Sequence, residues 1–331
     1  MTIADRCKIT TMRFSWIILV GCFLMSSPLR AANSSTEFDN RTKLCKRSIA
    51  TALERMKPNL TNFTNLREID DLVRVVPFLL PAAAALYETN RVHLTTGMCD
   101  EIFQILQANI LAWQYPYSLS KLAEYQDLIT KIHGDQINNS SPNNWVEINT
   151  PDFYTFADLK RENISAATIE FLNSEIEDYM PDALSHLLAH EIAHLVMRPS
   201  FYKELSPAAS RITEAMADIL GYSIASKSMK YRNNPIFLSP LLNLFSREKS
   251  QTNGGAMHPK TVCRLAYVYY KIDLASVVAK EDASKEAKQY WATVIKEAEE
   301  KTRLKNVNVG EIITNALASP ACSEFHVVLK K

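Results

Sequence analysis

Apolar residues recur at intervals of three and four along most of the chain, the spacing of helices that bury one face. Prolines and capping residues mark the ends of several of these segments. The pattern predicts helices over residues 42–56, 99–113, 119–132, 156–179, 181–197, 206–229, 260–279, 282–302 and 309–318. We therefore expect a mainly α fold.

Two segments depart from this pattern. Residues 66–89 are apolar but contain Pro77 and Pro81, which predicts a kinked or broken pair of helices. Residues 134–152 are rich in Asn, Ser, Asp and Pro, as surface loops are. Within them the sequence Trp-Val-Glu-Ile at 145–148 alternates, which favours a short edge strand or small sheet near residues 144–149. A loop with one buried tryptophan is the other interpretation.

Composition supports the helical prediction and narrows the class of partner. The chain has 331 residues and only 7 glycines, and its long stretches are rich in Ala, Leu, Glu and Lys. Its 37 basic and 36 acidic side chains almost cancel, and no basic stripe is present. We therefore expect no nucleic-acid partner.

The N-terminus has the form of an export signal. Residues 14–25 are apolar, basic residues precede them and a Ser-Ser-Pro sequence follows. The run is shorter than the roughly twenty residues of a membrane-spanning helix. Cleavage near residue 32 would release an unanchored chain, whereas residues 19–22 resemble a bacterial lipoprotein box in which Cys22 would be lipidated. Either route predicts a periplasmic or secreted protein, which is attached to a membrane only if Cys22 is lipidated.

Four cysteines follow the export signal, at Cys45, Cys99, Cys263 and Cys322. An even number in an oxidising compartment predicts two disulfides, with three alternative pairings. Isolated buried thiols are the alternative interpretation. None of the four has the Cys-x-x-Cys spacing of a metal site, so we do not assign them to a metal.

The strongest chemical signal is the sequence HEIAH at residues 190–194, which matches the His-Glu-x-x-His pattern of zinc hydrolases. On a helix the two histidines share one face, so both imidazoles can bind a single ion. Glu191 can contact a water on that ion without binding the ion itself. The motif therefore predicts two ligands and a base on one helix.

A carboxylate for the same ion follows on the next predicted helix, which begins with Ser206 as N-cap and Pro207. The short connection makes the two helices antiparallel, with His194 and Glu214 near the connected ends. Two imidazoles and one carboxylate leave a fourth tetrahedral position for water, as in catalytic zinc sites. We therefore predict one Zn²⁺ per chain, bound by His190, His194 and Glu214.

Nearby residues are candidates for other roles. Asp218 follows Glu214 by one turn and is placed to accept a hydrogen bond from a zinc-binding imidazole. His186 precedes His190 by one turn and is either a further ligand or a supporting residue. Glu204, in the loop, is a rival third ligand. The alternative for the whole set is a chance match on a buried helix.

The same residues resemble a known class of metallopeptidase. HEIAH followed by EAMADILG at 214–221 is similar to the gluzincin pattern of thermolysin-like enzymes. Residues 258–265 (HPKTVCRL) resemble the His-Pro…Arg segment of the HtpX and CAAX-prenyl-protease group. The resemblance, over about residues 186–266, implies that His258 stabilises the transition state and that Arg264 supports the metal-site carboxylates. A His-Pro turn that caps the next helix is the alternative for His258.

Together these features predict an exported zincin-type metallopeptidase, with Glu191 as general base, that hydrolyses a protein or peptide substrate. The predicted regions are a signal segment (1–32), a helical region (33–133), the loop or edge strand (134–152) and the metallopeptidase core with C-terminal helices (153–331). An endopeptidase is expected because no motif for a free amino terminus is present. The alternatives are a non-catalytic or chaperone-like protein that retains a zinc site, and a secreted effector protease with a specific host target.

Overall fold

Helices dominate the structure, a computed structural model that describes residues 36–78, 81–115, 119–139, 150–160, 164–197, 206–230, 259, 261–271, 314–315 and 317–329. The helices are α1 (Thr36–Leu60), α2 (Thr96–Gln114), α3 (Leu119–Asn139), α4 (Phe153–Phe156), α5 (Ala166–Met197), α6 (Pro207–Ala225), α7 (Thr261–Lys271) and α8 (Ser323–Leu329). Single 3-10 turns lie at Ile69–Asp71 and Pro320–Cys322. The mainly α fold is confirmed.

A three-stranded sheet occupies the segment for which a broken pair of helices was predicted, so the prediction for residues 66–89 is wrong. Its strands are β1 (Val73–Val76), β2 (Ala83–Leu86) and β3 (Arg91–Thr95), in the order β1-β3-β2. β1 is parallel to β3, and β2 is antiparallel to it. Pro77 and Pro81 flank the strands, where a proline removes no ladder hydrogen bond. Short apolar runs fit a buried strand as well as a helix, which explains the error.

The central helix, α5, begins at Ala166 and joins the two helices predicted at 156–179 and 181–197. It runs unbroken for 32 residues with Pro181 in its interior, not in the first turn of a separate helix. A proline inside a helix costs about 3 kcal/mol. Burial outweighs this cost, because every side chain from Met180 to Leu195 except Glu191 is buried, and α1, α2, α6 and β2 pack around the helix.

The remaining helices agree with the pattern to different extents. α1 and α2 contain the segments predicted as helical at 42–56 and 99–113. α3 continues to Asn139, so residues 134–139, which were predicted to begin a loop, are helical. The strand candidate at 145–148 and the helix predicted at 282–302 lie outside the described residues.

Two disulfides join elements that are distant in sequence. Cys45–Cys99 links α1 to the first turn of α2, and Cys263–Cys322 links α7 to the 3-10 turn before α8. Of the three pairings left open by the sequence, this is the one in chain order. Such bonds persist in oxidising compartments, which supports the prediction of an exported protein. Among the described helices, none combines the length and the apolar character needed to span a bilayer.

Candidate metal centre

Three side chains converge between α5 and α6. His190 and His194 lie one turn apart on α5 with their Nε2 atoms 3.1 Å from each other. Glu214 of α6 places Oε2 3.3 Å from His190 Nε2 and Oε1 3.5 Å from His194 Nε2. All three side chains are buried, and their ligand atoms form a group that can hold a metal ion.

The spacing of these atoms fits a small tetrahedral ion. Bonds of about 2.0–2.1 Å at tetrahedral angles put neighbouring ligand atoms about 3.3 Å apart. The His190–His194 separation of 3.1 Å is close to that value, and the distances of 3.3 and 3.5 Å to Glu214 end on its two different oxygens. Three buried groups in this arrangement leave one tetrahedral position without a ligand from the cluster.

A buried ion pair lies behind His190. The Nδ1 atom of His190 is 2.9 Å from Asp218 Oδ1. Arg264 in turn holds Asp218, because its Nε and one terminal nitrogen donate hydrogen bonds of 2.7 Å to the two carboxylate oxygens. Asp218 and Arg264 are almost completely buried. The guanidinium therefore fixes the carboxylate, which lies beside His190 Nδ1 at ion-pair distance but not in hydrogen-bond geometry.

The charges of the side chains in this cluster favour the binding of a cation. Burial opposes a charged imidazole, but the contacts with Asp218 and Glu214 prevail and raise the pKa of His190 to about 10. Burial likewise opposes a charged Asp218, yet the Arg264 guanidinium and His190 hold the pKa of that carboxyl well below its usual range. The carboxylates thus attract positive charge to the position between the three ligands.

Glu191 lies outside the three-ligand cluster and points toward the sheet. Its Oε2 accepts a hydrogen bond of 2.8 Å from the backbone N–H of Ala85 in β2. In the antiparallel register Ala85 is opposite Val92, and among the described strands β3 alone pairs with β2. The Glu191 carboxylate is therefore next to both the predicted metal ligands and the free edge of a strand.

Gly221 allows α6 to approach α5 at the metal ligands. A Cβ atom at this position would lie 2.8 Å from both Cα and N of His190 and 3.0 Å from the carbonyl carbon of Ala189. Real Cβ atoms do not come that close to backbone. The absence of a side chain at Gly221 thus permits the helix separation at which Glu214 reaches the two histidines.

His186, the alternative ligand, is not part of the cluster. It is buried, its ring packs edge-on against Tyr222 of α6, and its Nε2 has no hydrogen-bond partner among the described residues. Burial, opposed by Asp218 and assisted by His190, lowers the pKa of His186 to about 4. His186 is accordingly a neutral packing residue behind the metal ligands, and not an exposed helix residue.

The contact between Ala85 and Glu191 was missed from the sequence, because the segment around Ala85 was predicted as helix. The run of alanines between Pro81 and Leu86 carries no polar signal that marks it as part of a site. Glu204, His258 and Cys22 lie outside the described residues. No family model, no curated protein and no solved structure matches the chain.

Proposed function

We propose that this protein is an exported zinc metallopeptidase. The observation that carries the proposal is the combination of a buried His190–His194–Glu214 cluster with a non-ligating Glu191 at the edge of a strand. A purely structural metal site needs no adjacent base and no strand edge. A peptidase needs both.

Zinc is the metal that this donor set favours. Two imidazoles and one carboxylate are the ligands of several catalytic zinc sites, and calcium and magnesium prefer all-oxygen sites. When bound, zinc would supply Lewis acidity, lowering the pKa of a water molecule and polarising a scissile carbonyl. The ring nitrogen of His190 that faces Asp218 then keeps its proton, which leaves Nε2 free to bind the ion.

The proton is handled by Glu191. Its carboxylate accepts a proton from the attacking water and returns it to the leaving amine, which is the role of a general base and then a general acid. The N–H of Ala85 holds one carboxylate oxygen at 2.8 Å, so the other oxygen is available for the proton. Glu191 is the one side chain between Met180 and Leu195 that is not buried, as contact with substrate requires.

The substrate is an extended peptide that pairs with the free edge of β2. Main-chain hydrogen bonds to an edge strand hold a peptide without regard to its side chains. Ala83, Ala84 and Ala85 carry small side chains, and Ala84 and Ala85 are buried, so the peptide would be held through the backbone groups of the edge. The strand predicted near residues 144–149 lies outside the described residues, and the proposal rests on β2. His258 is proposed, on the resemblance alone, as the donor to the oxyanion.

The test compares zinc content and cleavage of an unstructured protein such as casein for the wild type, Glu191→Gln and Glu214→Ala. Glu191→Gln is expected to bind zinc like the wild type and to lose activity by a factor of about 10²–10⁴, the contribution of a general base. Glu214→Ala is expected to bind zinc more weakly. Glu170→Gln, an exposed glutamate near the start of α5, is the matched control and should change neither.

Two outcomes would each contradict a different part of the proposal. Full activity of Glu191→Gln would exclude the proposed base. Unchanged zinc affinity of Glu214→Ala would place the third ligand elsewhere.

A further inference from the structure

A groove lies between α1 and the outer edge of β1, on the side of the sheet opposite to the strand that faces Glu191. Its volume is about 400 Å³. Apolar residues of both elements form its floor, and four charged residues form its rim. The floor comprises Ile49, Leu53, Ile69, Val73 and Val75, and the rim comprises Lys46, Glu54, Asp70 and Arg74.

The strand that borders this groove has unused backbone hydrogen-bonding groups. β1 pairs with β3 alone among the described strands. The bond from Val92 N–H to the Leu72 carbonyl sets the phase of this parallel pair. By the alternation of a parallel ladder, the N–H and C=O groups of Val73 and Val75 then point away from β3. Such an edge is a template for one more strand.

The rim charges are available to a partner. Within the described residues, the side chains of Lys46, Asp70 and Arg74 make no ion pair or hydrogen bond, and Glu54 has only a 3.5 Å ion pair with Lys57 at the surface. Lys46 and Glu54 are separated by two turns of α1, about 12 Å along the helix axis. Each wall of the groove thus presents one basic and one acidic side chain.

We propose that this groove binds an extended segment of a partner protein, which adds to β1 as a fourth strand. Such a segment covers about 12 Å with four residues, at about 3.3 Å per residue. The Lys46–Glu54 pair on the α1 wall therefore selects a basic and an acidic residue four positions apart, with β-branched residues between them. The unpaired edge supplies main-chain affinity, and the rim supplies selectivity.

This site does not depend on the proposed peptidase activity. β1 and β2 are the two outer strands of the sheet, with β3 between them, and the metal ligands border β2 only. Binding at β1 can therefore be measured with Glu191→Gln or with metal-free protein, and its failure would say nothing about the metal centre.

The experiment measures fluorescence anisotropy of two labelled peptides that contain Asp-Val-Thr-Val-Arg or Arg-Val-Thr-Val-Asp, titrated with the full chain carrying Glu191→Gln. One of the two orders is expected to bind more tightly, because Lys46 and Glu54 give the α1 wall of the groove a basic and an acidic end. Combining Lys46→Glu with Glu54→Lys exchanges the two ends of the α1 wall, so it should weaken that peptide about tenfold and favour the peptide of reversed charge. Lys43→Glu, an exposed change on α1 outside the groove, is the matched control.

A second pair of variants tests the backbone contribution. Val75→Pro removes an N–H that β3 does not use and is expected to abolish binding, whereas Val75→Thr keeps the N–H and should bind like the parent. If Val75→Pro fails to fold, as judged by circular dichroism, the charge variants alone decide. The proposal is overturned if neither peptide binds below about 1 mM. It is also overturned if the charge variants bind both peptides unchanged, or if sedimentation shows a dimer that Lys46→Glu dissociates.

Discussion

At the scale of single residues, Asp218 connects the proposed metal ligands to the interior of the protein. It contacts His190 through one oxygen and receives both hydrogen bonds of the Arg264 fork. Replacing Asp218 with Asn keeps an acceptor for the imidazole but removes the charge that pairs with Arg264. We expect Asp218→Asn to weaken zinc binding by about 10–100-fold, measured by competition with a chelating dye.

The variant also leaves a buried guanidinium without its counter-charge, which destabilises a protein by about 3–5 kcal/mol. A combined Asp218→Asn and Arg264→Met variant separates the two effects. Its free energy of unfolding should recover, because the unpaired charge is gone, while its zinc affinity should stay low. Recovery of both would show that Asp218 acts on stability alone.

Residue spacing in the sequence was enough to predict which side chains meet because they lie one turn apart on the same helix. His190 and His194 meet because residues four apart share a helix face, and Glu214 and Asp218 follow the same rule on α6. Ala85 could not be found in this way. Its contribution is a backbone N–H, which every residue except proline carries, so no side chain marks the position.

At the scale of elements, the metal ligands depend on how closely α5 and α6 approach. In an ordinary helix Gly→Ala stabilises by about 1 kcal/mol, because alanine has the higher helix propensity. At Gly221 we expect the opposite, since the new methyl group would lie 2.8 Å from the backbone of His190 and push the helices apart. Gly221→Ala should lower stability by about 1–3 kcal/mol and weaken zinc binding as well.

Ser223→Ala is the control for this prediction. Ser223 is exposed on the same helix, so alanine there tests propensity without the close approach. Thermal unfolding should show Ser223→Ala at or above the wild type and Gly221→Ala below it. If Gly221→Ala is more stable than the wild type and binds zinc normally, the prediction is wrong, and α5 and α6 can accommodate a methyl group at this position.

Prediction of elements succeeded where the apolar period was long and failed where it was short. α1, α2 and α6 each repeat their buried positions over several turns, which only a helix explains. The strands of the sheet are four or five residues long, too short for a period of two to be separated from a helix. α5 was divided at Pro181 because the burial that keeps it continuous is a tertiary effect, invisible in local sequence.

At the scale of the whole molecule, two disulfides of similar span have different positions relative to the metal centre. They close loops of 54 and 59 residues, so each should stabilise the fold by about 4 kcal/mol on loop entropy alone. Cys45–Cys99 joins α1 and α2 and contacts none of the ligands. Cys263 is adjacent to Arg264, and its bond to Cys322 attaches α7 to the turn that precedes α8.

Removing either disulfide should therefore lower stability by a similar amount, but the two removals should affect zinc binding differently. Ser at positions 45 and 99, or at 263 and 322, should lower the free energy of unfolding by similar amounts in urea titrations. Only the second pair should weaken zinc binding, because α7 is then less firmly held and Arg264 no longer fixes Asp218 against His190. Equal zinc affinities in the two variants would contradict this coupling. They would instead indicate that the buried Asp218–Arg264 pair is sufficient to hold α7 against α6 without a covalent link.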